Sequence, residues 1–415
     1  MKKSLRIQFV AGALAMCGVG HAQGLHHHTA AERTAHLEHM HHAMMSHRAH
    51  REALHMHRMG MFDERMAMGV ERLGSLSAPV YARRGEVLAM GLAPKTLTQL
   101  ASEGWTLKQR RSFDQLDLSI DVLRAPKGLN LRRGLRRIAQ VDRDAVVAPN
   151  ALFMRSGDVQ GPLVFSDRAP SKKAGEIGLI DTGADPEALR LRTNGALVQK
   201  CFADKGEVTP QDHGSLVAHI AAQSGAERLV VADVFCGNRD IAAAEAIVAA
   251  VDWLVGEGVK VVNISLAGPS NAIVEAAISR ATERGHLFVA SVGNDGNHRA
   301  PRYPAAYTNV VAVTAVDDNF ALYRRANTGA AVDVAALGVN VAEDNNARSV
   351  SGTSFASPVV AAYLASRSAG SLSPSRARTI LAETTIDVGE PGRDPMYGEG
   401  VLVVARPERI ALADE

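Results

Sequence analysis

The chain has 415 residues, 46% of them hydrophobic and 22% charged, and its 46 Lys/Arg nearly balance 44 Asp/Glu for a net charge of +2. Such a composition excludes a disordered chain, a collagen and a disulfide-dense miniprotein, and the near-neutral total does not describe a protein that coats nucleic acid. The averages conceal an unevenness: 12 of the 16 histidines lie between His21 and His57, so segments of different character share the chain.

Lys2, Lys3 and Arg6 precede an apolar run from Ile7 to Val19, and Gly20-His21-Ala22 then offers a small-x-small cleavage site. This is the pattern of a secretory signal peptide over residues 1–22, cut near Ala22. No later stretch reaches 18 uninterrupted apolar residues, so no stable membrane span is expected in the mature protein. A secreted or periplasmic location follows. Removal of the signal leaves Cys201 and Cys236, which in an exported chain are either one disulfide or two thiols.

Residues 23–78 form a low-complexity segment rich in His and Met, with His36/His39 and His47/His50 spaced for one face of a helix. His and Met together suit copper or nickel outside the cytoplasm. No fixed ligand set stands out, so the segment is read as a solvated spacer, with metal binding as its alternative, and no metal site or other cofactor is assigned.

Residues 79–155 have another grammar. Val87 to Met90 reads as a strand, Pro94 to Gly104 as a short helix, and Trp105 to Leu123 as two strands with alternating Leu116, Leu118, Ile120 and Val122. Leu131 to Val141 is an amphipathic helix studded with arginine, and Val146-Val147 opens a last strand. The order β-α-β-β-α-β predicts a small α+β ferredoxin-like domain. Residues 79–145 carry 13 Lys/Arg against 7 Asp/Glu, whereas residues from 160 onward carry 23 against 30. Opposite charge on neighbouring domains favours their docking. RNP-like aromatics are missing, so no nucleic-acid partner is expected.

Residues 160–415 alternate strands and helices. Ile177–Ile180, Leu229–Val234, Val259–Ile264, Leu287–Val292 and Val310–Val313 are short apolar runs fit for buried parallel strands. With helical patterns over Ile241–Val255 and Asn271–Arg284 they predict an α/β fold, a doubly wound parallel sheet. Reactive groups in such sheets gather at the carboxyl ends of the strands. Four polar residues sit at such places: Asp181 in Gly178-Leu179-Ile180-Asp181-Thr182-Gly183, His213 before Gly214, Asn294 after Val292-Gly293, and Ser354 in Ser351-Gly352-Thr353-Ser354. Each alone has a dull explanation as a cap or a turn.

Together, in the order Asp, His, Asn, Ser, the fragments IGLIDTG, DHGSLVAHI, VASVGNDG and SGTSFASPVVAA resemble the subtilisin-like serine proteases (subtilases, peptidase S8), supported by VVNISLAGPS and YPAAYTNVVAVTAVD. The resemblance covers roughly residues 165–410, and residues 79–155 resemble the family's inhibitory propeptide. It implies an exported serine endopeptidase made as a zymogen, acting on polypeptides and held in check by its own propeptide. Ser354 would be the nucleophile, His213 the base, Asp181 the residue orienting that base, and Asn294 an oxyanion donor. It further implies that substrate lies extended along Ser265-Leu266-Ala267-Gly268, with Arg302 at the floor of the first specificity pocket beside Asp295. That arginine would shorten the pocket or favour an acidic P1 residue, unless Asp295 neutralises it; the alternative is an arginine that extends to solvent. The family's strand order would bring Cys201 and Cys236 together, which favours a disulfide. The sequence departs from the pattern at Leu216, His219 and Leu337, and the short stretch from Ala221 to Leu229 gives no expectation of the family's usual calcium loop. Two other functions compete. One is a catalytically silent binding protein on this scaffold with a metal-binding His/Met arm. The other is an esterase, which would need a Gly-x-Ser-x-Gly elbow that is missing around Ser354.

Overall fold

The computed structural model describes residues 69–74, 79–155, 163–164, 175–189, 197–203, 206–237, 241–343, 349–368, 370–404 and 410–412. These belong to one compact unit, residues 69–415. The expected signal peptide and the His/Met-rich stretch up to Met68 lie outside the described residues.

The first half of the unit is built from β1 (Val70–Gly74), β2 (Pro79–Met90), α1 (Pro94–Ser102), β3 (Thr106–Phe113), β4 (Leu118–Arg124), α2 (Leu131–Val141) and β5 (Val146–Arg155). The antiparallel sheet runs β5-β2-β4-β3, with β1 paired to β2. That order is the one the split β-α-β pattern calls for. The sheet also reaches back to Val70, ahead of residue 79 where the sequence pattern begins. β2 is likewise longer than its apolar run, because Glu86, the polar residue just ahead of that run, is buried and satisfied by Lys108, Arg124 and Asn150. α2 starts where the Asn130 side chain accepts the Arg133 N–H at 3.0 Å. Its Leu131, Gly134 and Ile138 are buried, and a Cβ on Gly134 would come within 2.9 Å of the Trp105 ring. Arg132, Arg133 and Arg136 point to solvent.

The second half contains β6 (Gly175–Asp181), β7 (Leu197–Cys201), α3 (Asp212–Gln223), β8 (Ala226–Asp233), α4 (Ala244–Gly256), β9 (Val261–Ile264), α5 (Ala272–Glu283), β10 (Leu287–Ser291), β11 (Val310–Val316), β12 (Val334–Leu337), α6 (Thr353–Arg367) and α7 (Pro374–Ala382). One parallel sheet runs β12-β11-β10-β9-β6-β8-β7. Strand side chains alternate between two cores. Phe288 and Ala290 join α4 and α5 on one face, while Leu287 and Val289 join α3 and α6 on the other. Two strands have no counterpart in the sequence reading. β7 is a half-exposed edge strand without an apolar run, and β12 is four residues dominated by alanine. The chain reverses direction across the sheet at β6, which places the carboxyl end of β6 at the topological switch point.

The two halves meet on an apolar surface. Leu88, Phe113, Leu116, Leu118, Ile120, Val122 and Ala148 of the small sheet share one continuous core with α4 and α5. Polar contacts trim its edge: Asp252 accepts the Leu116 N–H at 3.1 Å, Arg280 donates to the Asp117 carbonyl at 2.7 Å, and Asn271 donates to the Pro149 carbonyl at 2.9 Å. The close ion pairs across the contact do not share one sense. Arg83–Glu245 and Arg280–Asp117, both at 3.5 Å, run in opposite senses across the contact, and the α2 arginines that create the basic excess face away into solvent. The expected docking by opposite net charge is replaced by burial of apolar side chains.

Candidate active site

β6 ends in Asp181, which is buried at the switch point. Its carbonyl accepts the Val234 N–H at 3.0 Å, and its Oδ1 accepts the Thr182 N–H at 2.7 Å, so the carboxylate cannot swing. His213 lies in the first turn of α3, and its Nδ1–H donates to Asp181 Oδ1 at 2.8 Å. A carboxylate can only accept here, which fixes the tautomer and leaves Nε2 as the basic nitrogen. Gly214 makes this approach possible. Its N–H donates to Thr182 Oγ1 at 2.9 Å, and a Cβ there would stand 2.3 Å from the Thr182 carbonyl oxygen.

Ser354 is buried in the first turn of α6, and the neighbouring Phe355 ring touches His213 with centroids 5.5 Å apart. Ser354 Oγ is 3.5 Å from the Ser265 carbonyl, whereas His213 Nε2 is buried with no hydrogen-bond partner among the described residues. Asp181 and His213 are therefore locked together, and Ser354 stands on the adjoining helix turn. The Ser354 backbone is held by the chain's own irregularity. Pro358 has no N–H to offer the Ser354 carbonyl four residues earlier, and Ser265 Oγ donates to that carbonyl instead, at 3.2 Å. Asn263 Nδ2 in turn donates to Ser265 Oγ at 2.9 Å.

Asn294 is oriented by Thr353. The Thr353 N–H and Oγ1 both donate to Asn294 Oδ1, at 3.1 and 3.0 Å. With its oxygen held, the amide presents its nitrogen as a donor. Thr353 and Asn263 were missed as functional residues, although both stand inside quoted motifs. Only the fold shows what they hold. Gly352 has an extended φ of 171°, so it is not a left-handed glycine. Gly338 packs closely on this turn, where a Cβ would come 2.8 Å from the Gly352 carbonyl oxygen. Leu216 is buried in the core with Ile177 and Leu179 of β6, and His219 is buried within the same helix.

The edge Leu266–Ala267 is already paired. β5 runs antiparallel to it, with Met154 opposite Ala267 and Arg155 opposite Leu266. On its other side β5 pairs with Ala242–Ala243 through Phe153 and Leu152. Phe153 is fully buried and covers Gly268, where a Cβ would lie 2.2 Å from the ring. Arg302 borders the same groove: its N–H donates to the Val292 carbonyl at 2.9 Å, and its Cγ is 2.9 Å from where a Cβ on Gly293 would sit. Its Nε is 3.8 Å from Asp295 Oδ2, with both side chains about one-third exposed. Cys201 and Cys236 are joined as a disulfide, with Cα atoms 5.6 Å apart. Among the described residues there is no group of three or more side chains able to hold a metal ion, and no helix long and apolar enough to cross a membrane.

With this geometry in view, comparison with known proteins is decisive. Residues 172–400 match the model of the subtilase family, Peptidase S8. The chain belongs to that family. Subtilisin BL of Lederbergia lenta is 32% identical over 265 residues, covering 59% of this chain and 94% of that protein. The minor extracellular protease Epr of Bacillus subtilis is 34% identical over 158 residues, or 37% of this chain. The crystal structure of fervidolysin from Fervidobacterium pennivorans, a keratinolytic enzyme related to subtilisin, superposes with a TM-score of 0.62 at 18% identity and covers 77% of this chain, a likeness of fold. The chain spans 24% of the length of Epr and 60% of that of fervidolysin. The subtilase thus has the α/β architecture that its motifs implied.

Proposed function

We propose that this subtilase is an exported serine endopeptidase made as a zymogen. The observation that carries the proposal is the buried 2.8 Å bond from His213 to Asp181, at the strand end beside the α6 turn that bears Ser354. Ser354 Oγ attacks the scissile carbonyl as His213 Nε2 takes its proton, a proton later returned to the leaving amine. Asp181 stabilises the imidazolium formed in between. Asn294 Nδ2 and the Ser354 N–H, at a helix N-terminus, meet the oxyanion. A relative named as an extracellular protease supports export, and the signal-like segment of residues 1–22 agrees with it. No cofactor takes part in these steps. Metal binding by the His/Met segment stays a separate question, open to titration with copper and nickel.

The propeptide assignment of residues 79–155 draws its support from β5, which pairs with the edge a substrate would use. Substrate recognition by strand addition reads backbone first and side-chain pockets second. Moving the register on by one residue from the Arg155–Leu266 pair predicts that self-cleavage follows Ser156, giving a mature chain that starts at Gly157. A small polar P1 residue agrees with a pocket narrowed by Arg302. The Asp295 pairing neutralises that arginine in part, so small and acidic P1 residues are expected to be cleaved ahead of large apolar ones.

Labelling by a fluorophosphonate tests the mechanism, with Ser354→Ala as control. Labelling of the processed wild type alone supports it. No labelling of a folded, processed protein would instead favour the silent binding scaffold. N-terminal sequencing tests the cut, and a P1 peptide library tests Arg302; preference for large apolar P1 residues would sink that assignment.

A further inference from the structure

The disulfide lies on the path that delivers the catalytic base. Cys201 ends β7 and pairs in register with Asp233 of β8, which pairs in turn with Asp181 of β6. After Cys201 the chain returns to the site at Pro210, bridged to Gly183, and at Gln211, whose N–H donates to the Gly183 carbonyl at 3.0 Å. His213 follows two residues later. Gly206, on the way there, packs on the bridge itself: a Cβ on it would stand 2.9 Å from the Cys236 Cβ and 3.6 Å from the Cys201 sulfur.

One buried carboxylate joins the two ends of this device. Asp233 Oδ1 accepts the N–H groups of Phe235 and Cys236 at 3.0 and 2.7 Å, and its Oδ2 accepts the N–H of Thr209 at 3.0 Å. Cys236 itself has a φ of 47°, in the left-handed region that favours glycine. A cysteine is held there because its side chain is used. Both cysteines are only partly buried, so a small dithiol can reach the bond.

We propose that the Cys201–Cys236 disulfide is a redox-sensitive positioning bond for His213, a proposal that rests on the protease assignment above. A dithiol supplies two electrons and two protons. The S–S bond breaks to two thiols, and the dithiol closes to its own disulfide. The stretch from Gly206 to Gln211 then loses its anchor at Cys236, and the first turn of α3 loses its register against Asp181.

The experiment uses the mature, oxidised protein. Treatment with a dithiol, with thiol labelling to prove reduction and circular dichroism to prove retained fold, is expected to lower kcat by about 10- to 100-fold. KM for a short peptide should change much less. The pH midpoint of kcat/KM should move, because the base is what has been displaced, and reoxidation should restore all three. The Cys201→Ser/Cys236→Ser protein should behave as the reduced enzyme and ignore the dithiol. Reduction that leaves kcat and the pH midpoint unchanged, and lowers only the thermal midpoint, overturns the proposal. Absence of turnover in the oxidised protein would instead refute the protease assignment, so the two failures are distinguishable.

Discussion

The two halves of the described unit place their most distinctive polar side chains differently. The small β-α-β-β-α-β half keeps Arg132, Arg133 and Arg136 on the outer face of α2 and presents an apolar sheet face to its neighbour. The parallel-sheet half buries Asp181, His213, Asn263, Thr353 and Ser354 at the carboxyl ends of its strands and supplies each with partners or a defined direction. One half is built to be held, the other to hold reacting groups still. Net charge, which differs in sign between them, does not explain how they meet.

Substitutions at the reacting groups should break this contrast most sharply. Ser354→Ala should lower peptide hydrolysis by a factor on the order of 10³ or more and leave the chain unprocessed, as read by turnover assays and intact mass. Asn294→Ala should lower kcat by about 10²–10³ with a small change in KM. Thr353→Val removes one of the two donors that hold Asn294 Oδ1 and should give a smaller loss in the same direction.

The contact between the halves comes next. In the Ser354→Ala background, Phe153→Ala deletes the fully buried ring that covers Gly268 and should cost about 3–5 kcal/mol in urea unfolding. Arg132→Gln, Arg133→Gln and Arg136→Gln, made together, should change that stability by less than about 0.5 kcal/mol each and, in the protein that keeps Ser354, should leave processing intact. A large loss would return electrostatics to the docking surface.

The smallest effect concerns acid. Burial holds the His286 imidazole below its ordinary value, aided by the nearby charges of Lys260 and Arg284 and opposed by the bond to the Val259 carbonyl. His286 Nδ1 lies 2.6 Å from that carbonyl, so the neutral ring donates to it. A depressed folded value means that this stability is fully present above the unfolded value of about 6.5 and is lost as pH falls through the folded one. His286→Gln should flatten the acid limb of thermal stability below about pH 6.5.

Much of the site was legible because its residues stand in short contiguous motifs. A strand end, a helix start and a glycine turn each announce themselves locally, as Asp181, His213-Gly214 and Gly352-Thr353-Ser354 do. Glu86 misled the reading of β2 because its burial depends on Lys108, Arg124 and Asn150, which come from three other strands. β7 and β12 were missed because an edge position and a run of alanines carry little periodic signal.

The amino-acid sequence by itself determined the α/β class and the family, and it picked out the four residues proposed to react, since these follow from local pattern and side-chain chemistry. Only the tertiary structure decided that β5 lies on the Leu266–Ala267 edge, that Thr353 turns Asn294, and that the basic helix faces solvent. Strand register and the packing of distant segments are set by which surfaces exclude water together, and no single stretch of the chain records that choice.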